Sequence, residues 1–241
     1  MTSKCGALVK TSLVDYPGKV CATVFFRGCN LRCPYCYNAP LVTGTADESE
    51  LFTIEEIQNH LAKRRNVLDA LTVSGGEALL NSFTVPLITF AKELGYLVKL
   101  DTNGTQPELL QKITENPATR PDFIAMDIKT SPENYHSLLN AAAVNDKTDY
   151  EAKIKKSIEI ISGYPASQRE FRTVLVPTLI KKEDIKTIAG LLPEDSSWQF
   201  ARFVAGSCLE KLYNALPPYT EKENIELVDF AKTFIKNAVL R

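Results

Sequence analysis

The chain has 241 residues, with 28 Lys plus Arg against 29 Asp plus Glu, 44% hydrophobic residues and six Cys. This composition excludes a disordered, collagen-like or linker-like protein, and a formal charge of −1 leaves no basic field of the kind that binds a phosphate backbone, so no nucleic-acid partner is expected. No run of about 18 apolar residues occurs and residues 1–6 lack the regions of a signal peptide, which makes a cytoplasmic protein without a membrane the expectation.

In chain order, β-branched apolar runs predict six strands at residues 20–26 (VCATVFF), 70–73, 97–100, 123–126, 172–176 and 198–203. Between them, helical periodicity covers 54–64, opened by a Thr53-x-x-Glu56 capping box, then 85–94, 107–114, 132–143, 150–162 and 182–191, with a last helix over 221–236. Residues 6–19 and the long loop 27–49 resist assignment. Strands alternating with helices imply right-handed βαβ units around a parallel sheet. Six units fall short of a complete eight-fold barrel, so the expected class is α/β, an open partial (β/α)6 barrel. One domain over 1–241 is expected, with an N-terminal segment 1–19, a cysteine-bearing loop 27–49 and a helical closure 204–241. No internal repeat or low-complexity tract interrupts it.

In a reducing compartment six Cys are poorly explained as three disulfides, and Cys29, Cys33 and Cys36 fall within eight residues just after the first predicted strand. Such spacing can bring three thiolates to one metal centre. A structural zinc site normally takes four ligands as two separated pairs, and no second pair exists here: Cys5, Cys21 and Cys208 are isolated, and His60 and His136 sit in helical patterns where packing or surface roles are the default. A 4Fe-4S cluster with one iron left open suits three ligands better. An open cluster, zinc and unrelated thiols remain the three readings at this point.

The other strand ends are also polar or permissive: Ser74-Gly75-Gly76-Glu77, Asp101-Thr102-Asn103-Gly104 and Asp127-Ile128-Lys129. Singly, each is explained by turn or cap chemistry. In successive βα units they fall at the carboxyl ends of parallel strands, where ligands bind.

The Cys-x-x-x-Cys-x-aromatic-Cys run, the Gly-Gly-Glu, the Asp-Thr-Asn-Gly and the Asp-Ile-Lys together resemble the radical S-adenosylmethionine (SAM) enzymes. Within them, residues 11–18 (TSLVDYPG) through about 203 are similar to glycyl-radical-enzyme activating enzymes, especially the anaerobic ribonucleoside-triphosphate reductase activating proteins. The resemblance implies a radical SAM type of partial barrel, one 4Fe-4S cluster on Cys29, Cys33 and Cys36, and SAM contacts from Tyr35, Gly75, Gly76, Glu77, Thr102, Asp127, Lys129 and Arg172. It also implies a monovalent cation near Asp101, a partner contact at Asp15, a glycyl radical enzyme as protein substrate, and reduced flavodoxin or ferredoxin as electron donor. No catalytic side chain is implied beyond the cluster and SAM.

Two departures stand out. Tyr37 follows the third Cys where many relatives have His, and six Cys are too few for the extra clusters of several activating enzymes. Besides an activating enzyme, a radical enzyme modifying a small molecule or peptide shares every motif, whereas a non-catalytic zinc or iron-sulfur module leaves Gly75–Glu77, Asp127 and Lys129 unexplained.

Overall fold

The computed structural model describes residues 3–139 and 146–241. These residues form two compact units, the first holding most of the chain up to Ile124 and the second holding Leu31–Tyr37, Asn103–Pro107 and Ala125–Arg241.

In the first unit β1 (Gly6–Ser12), β2 (Cys21–Phe26), β3 (Leu51–Phe52), β4 (Ala70–Gly75) and β5 (Leu97–Thr102) lie in the order β3-β1-β2-β4-β5. The pairs β2/β4 and β4/β5 are parallel, with Thr23 beside Thr72 and Thr72 beside Lys99. β1 runs antiparallel to β2 and β3, so the stretch 6–19 that resists assignment in the sequence contains a strand. Its middle is exposed, and a half-exposed strand owes its form to pairing rather than to its own apolar pattern. The same holds for two-residue β3. Within the loop 27–49 a short helix α1 (Ala39–Thr43) forms.

Three helices cover this sheet segment. α2 (Ile54–Arg64) buries Ile54, Ile57 and Leu61 along one stripe. The expected capping box is present: Thr53 Oγ1 accepts the Glu56 N–H at 3.2 Å and the Glu56 carboxylate accepts the Thr53 N–H at 2.7 Å. α3 (Thr84–Glu93) and α4 (Pro107–Glu115) match the sequence to within a residue.

β6 (Phe123–Asp127) begins in the first unit and runs into the second. The second unit carries β7 (Arg169–Leu175), β8 (Trp198–Arg202) and β9 (Ala238–Leu240), with β7/β8 and β8/β9 parallel. α5 (Tyr150–Ser162), α6 (Lys182–Ala189) and α7 (Glu221–Lys232) bury stripes such as Ile154, Ile158 and Ile161 at helical spacing. The helix expected over 132–143 is instead a 3-10 segment, Pro132–Leu138, as far as it is described, and residues 140–143 of that expectation lie outside the described residues. Asn134 and Ser137 explain the tighter winding. The Asn134 amide donates to Ser131 Oγ at 2.8 Å and Ser137 Oγ to the Asn134 carbonyl at 2.7 Å, local bonds that compete with a helical ladder.

Candidate functional site

In the first unit the chain leaves β2 and meets the end of β4. The Gly76 N–H donates to the Phe26 carbonyl at 3.0 Å and the Glu77 N–H to the Gly28 carbonyl at 2.9 Å, which carries backbone pairing past both strands to the residue before Cys29. Only glycine allows this approach. A Cβ on Gly76 would stand 1.9 Å from the Gly28 oxygen and 3.0 Å from the Cys29 Cβ, and one on Gly75, at φ +131°, 2.3 Å from the Phe26 nitrogen and oxygen. The Glu77 side chain turns inward at 1% exposure and accepts from Thr102 Oγ1 at 2.8 Å and the Leu79 N–H at 3.2 Å. Gly75, Gly76, Glu77, Thr102 and Cys29 are thus held at the carboxyl ends of β2, β4 and β5.

Asp101 leaves β5 on the same face as Lys99, two residues earlier, and the Lys99 ammonium meets its carboxylate at 2.6 Å. Asp15, in the loop after β1, accepts from Thr23 Oγ1 at 2.8 Å, and its carbonyl accepts from Thr72 Oγ1 at 3.4 Å. It is therefore anchored to the middle of β2 and β4, while its neighbours Leu13 and Val14 stand exposed.

In the second unit the Cys36 N–H bonds the Cys33 carbonyl at 3.0 Å, turning the loop tightly between the two thiols. Cys33 and Tyr35 are buried and Cys36 is half-buried. Two bonds fasten this turn to the segment after β8: Glu210 N–H to the Pro34 carbonyl at 2.9 Å, and Val204 N–H to Tyr37 Oη at 2.8 Å. Tyr37 also sets its ring edge against Tyr35, 6.4 Å between centroids.

At the ends of β6 and β7 in the same unit, Asp127 stands between two cations, 2.9 Å from Lys129 Nζ and 2.7 Å from Arg172 Nε. Burial alone would raise the Asp127 carboxyl. Arg172 and Lys129 outweigh it and hold that carboxyl well below the usual carboxylate range. For Lys129, burial opposes the charge, but Asp127 and then Cys33 hold the ammonium above its ordinary value. The Lys129 N–H donates to Tyr135 Oη at 3.1 Å. Burial foremost, and the neighbouring Cys33 next, push the Tyr35 hydroxyl well above its ordinary value.

The donor set suits an iron-sulfur cluster. None of the six Cys is in a disulfide. Gly76 lets the chain pass close at Gly28 and Cys29, and Tyr35 Oη, on the cysteine turn, is buried without a hydrogen-bond partner. Among the described residues, no three His, Cys, Asp or Glu side chains close on a single metal ion. The isolated cysteines have packing roles instead: Cys5 Sγ donates to the Phe52 carbonyl at 3.4 Å, and Cys21 lies among Thr23 and Thr72.

Two residues at these clusters escape the sequence reading. Tyr135 gives no signal, because its hydroxyl reaches Lys129 through a 3-10 turn. Lys99 does give one, as a lone charge inside the apolar strand Leu-Val-Lys-Leu two places before Asp101.

Residues 23–192 match the family model of the radical SAM superfamily, and the chain belongs to that superfamily. It carries the open α/β barrel fold of these enzymes: a solved structure of TYW1 with a lysine-pyruvate adduct bound superposes with a TM-score of 0.59 over 89% of this chain and 74% of that one, at 14% identity. Within the superfamily the chain belongs to the glycyl-radical enzyme activating enzymes. A Methanocaldococcus jannaschii protein provisionally named as one is 32% identical over 242 residues, covering 100% of this chain and 97% of its own. The pyruvate formate-lyase-activating enzyme of Clostridium pasteurianum is 31% identical over 186 residues, 75% of this chain and 72% of its own. The protein is therefore a radical SAM enzyme, using a 4Fe-4S cluster and SAM, and the non-catalytic module falls away. No helix among the described residues is long and apolar enough to cross a membrane.

Proposed function

We propose that this enzyme installs a glycyl radical on anaerobic ribonucleoside-triphosphate reductase in the cytoplasm, with reduced flavodoxin or ferredoxin as electron donor. The observation that carries the reading is the full-length likeness to a glycyl-radical enzyme activating enzyme in a chain whose cysteine run leaves β2 beside Gly76. The choice of reductase rests on the resemblance that runs from residues 11–18 to about 203.

In this reading Cys29, Cys33 and Cys36 hold the cluster and leave one iron open to SAM. When bound, the cluster supplies the electron that cleaves SAM to methionine and a 5'-deoxyadenosyl radical, which takes a glycine Cα hydrogen. The chain's own residues position and exclude. The backbone of Gly75, Gly76 and Glu77 offers carbonyl acceptors to the methionine ammonium, and Thr102 stays fixed beside them through Glu77. Asp127 serves the same ammonium, while Lys129 serves the carboxylate as a point charge with Arg172 nearby. Buried Tyr35 borders the adenine through its backbone and keeps water from the turn. Asp15, anchored on Thr23 with Leu13 and Val14 exposed beside it, meets the glycine loop of the partner. Asp101, the candidate position for a monovalent cation, carries the Lys99 ammonium on its carboxylate.

The test is anaerobic reconstitution followed by addition of SAM, reductant and the reductase, with electron paramagnetic resonance on the reductase. A glycyl radical signal is expected, together with about four iron and four sulfide per enzyme chain that are lost in Cys33→Ala and kept in Cys5→Ala. 5'-Deoxyadenosine without a glycyl radical would instead favour a small-molecule or peptide substrate.

A further inference from the structure

We infer that the Lys99 ammonium is a built-in replacement for an alkali cation at Asp101, so that this enzyme binds SAM without potassium or sodium. The inference rests on the proposed reading that SAM lies at the carboxyl end of β5. Lys99 lies inside β5, and its side chain is 2% exposed and that of Asp101 14%, with 2.6 Å between ammonium and carboxylate. Residues i and i+2 of a strand share a face, so the chain itself presents a fixed positive charge to Asp101. The Lys99 stem lies beside Thr72, and Thr72 beside Thr23, both fully buried, and the Asp15 carboxylate on this row of hydroxyls accepts from Thr23 at 2.8 Å.

An ammonium taken this far out of water is retained only when it is paired, and Asp101 is its ion-pair partner. A potassium ion brought to the same carboxylate would meet a like charge within a few ångströms in a site of low dielectric, which opposes its binding. On the opposite face of β5, Thr102, next to Asp101, donates to the buried Glu77 at 2.8 Å, so the strand end is braced by protein groups. The covalently attached cation is always present, whereas a soluble ion occupies its site only in proportion to its concentration.

The experiment is calorimetric titration of the anaerobically reconstituted enzyme with SAM in potassium chloride, sodium chloride and choline chloride at equal ionic strength. The wild type is expected to keep its affinity within twofold across the three salts. Lys99→Met, which keeps the apolar stem and removes the charge, is expected to bind at least tenfold more weakly in choline chloride and to recover most of that loss in potassium chloride. Its melting temperature should also rise with potassium, while that of the wild type should not. Wild-type affinity that falls fivefold or more in choline chloride overturns the inference and leaves the reading of the site standing. A Lys99→Met loss that potassium does not restore reduces Lys99 to a packing residue and also overturns it. Absence of SAM binding in every salt overturns the site reading and this inference together. Should Lys99→Met fail to fold, the wild-type comparison of salts decides alone.

Discussion

Where β4 ends, the first unit sets backbone against backbone; where β6 ends, the second unit sets charge against charge. At the first place the determining distances are steric, 1.9 Å from a hypothetical Gly76 Cβ to the Gly28 oxygen, and the Glu77 carboxylate faces hydroxyl and amide donors. At the second the determining distances are ionic, 2.7 and 2.9 Å from Asp127 to Arg172 and Lys129, in side chains a fifth to a third exposed. Steric closeness fails all at once, because backbone cannot yield to an added methyl group. Charge pairs reached by water fail by degrees, because solvent and neighbours take over part of what is lost.

Gly76→Ala gives the largest expected effect. Stability should fall by more than about 3 kcal/mol, beyond the ordinary cost of overpacking, since the clash is with the Gly28 backbone, which cannot yield as a side chain does. Denaturant unfolding measures it, and a Gly76→Ala protein of unchanged midpoint would erase the contrast. Lys129→Ala should weaken SAM binding by about 1.5–3 kcal/mol with iron content unchanged, the range for a hydrogen bond to a charged group; equal affinity by calorimetry would leave Lys129 as a solvated lysine.

Asp127→Asn should cost about 1–2 kcal/mol of stability at neutral pH, discounted for the partial exposure of the group. The sign of its pH dependence is fixed. A carboxyl held below its unfolded value of 3.8 contributes fully above that value and is lost as pH falls through the depressed one, so the wild type should lose stability below about pH 4 more steeply than Asp127→Asn does. Parallel acid profiles would show that the two cations do not act on Asp127. Tyr37→Phe should have the smallest effect, about 0.5–1.5 kcal/mol for one part-exposed hydrogen bond, with iron content unchanged. A loss of iron would make Tyr37 part of the cluster's support.

The sequence makes the fold legible wherever local signals agree with burial. The capping box at Thr53 and Glu56 places the start of α2 at the observed residue. β1, β3 and β9 are hidden because two- or three-residue strands, or a strand half-exposed along its middle, carry little periodicity of their own. Much of the site is legible as motif: Asp127, Lys129 and Arg172 are singled out by the sequence and meet in the structure. The reasons for the glycines are not, since nothing in Gly75-Gly76 says that the Phe26 and Gly28 carbonyls pass within bonding distance. Lys99 is legible only to a reader who asks why an apolar strand holds one ammonium.

The two hydrogen bonds that tie the cysteine turn to the segment after β8, one to the Pro34 carbonyl and one to the Tyr37 hydroxyl, make residues 31–37 and 203–214 one structural unit. A chimera that grafts a relative's segment behind β8 onto this chain would leave the Pro34 carbonyl and the Tyr37 hydroxyl facing a foreign backbone, even though every cysteine were kept. Recombination among these enzymes is therefore expected to move the two pieces together, and substitutions at position 37 to travel with changes around Val204.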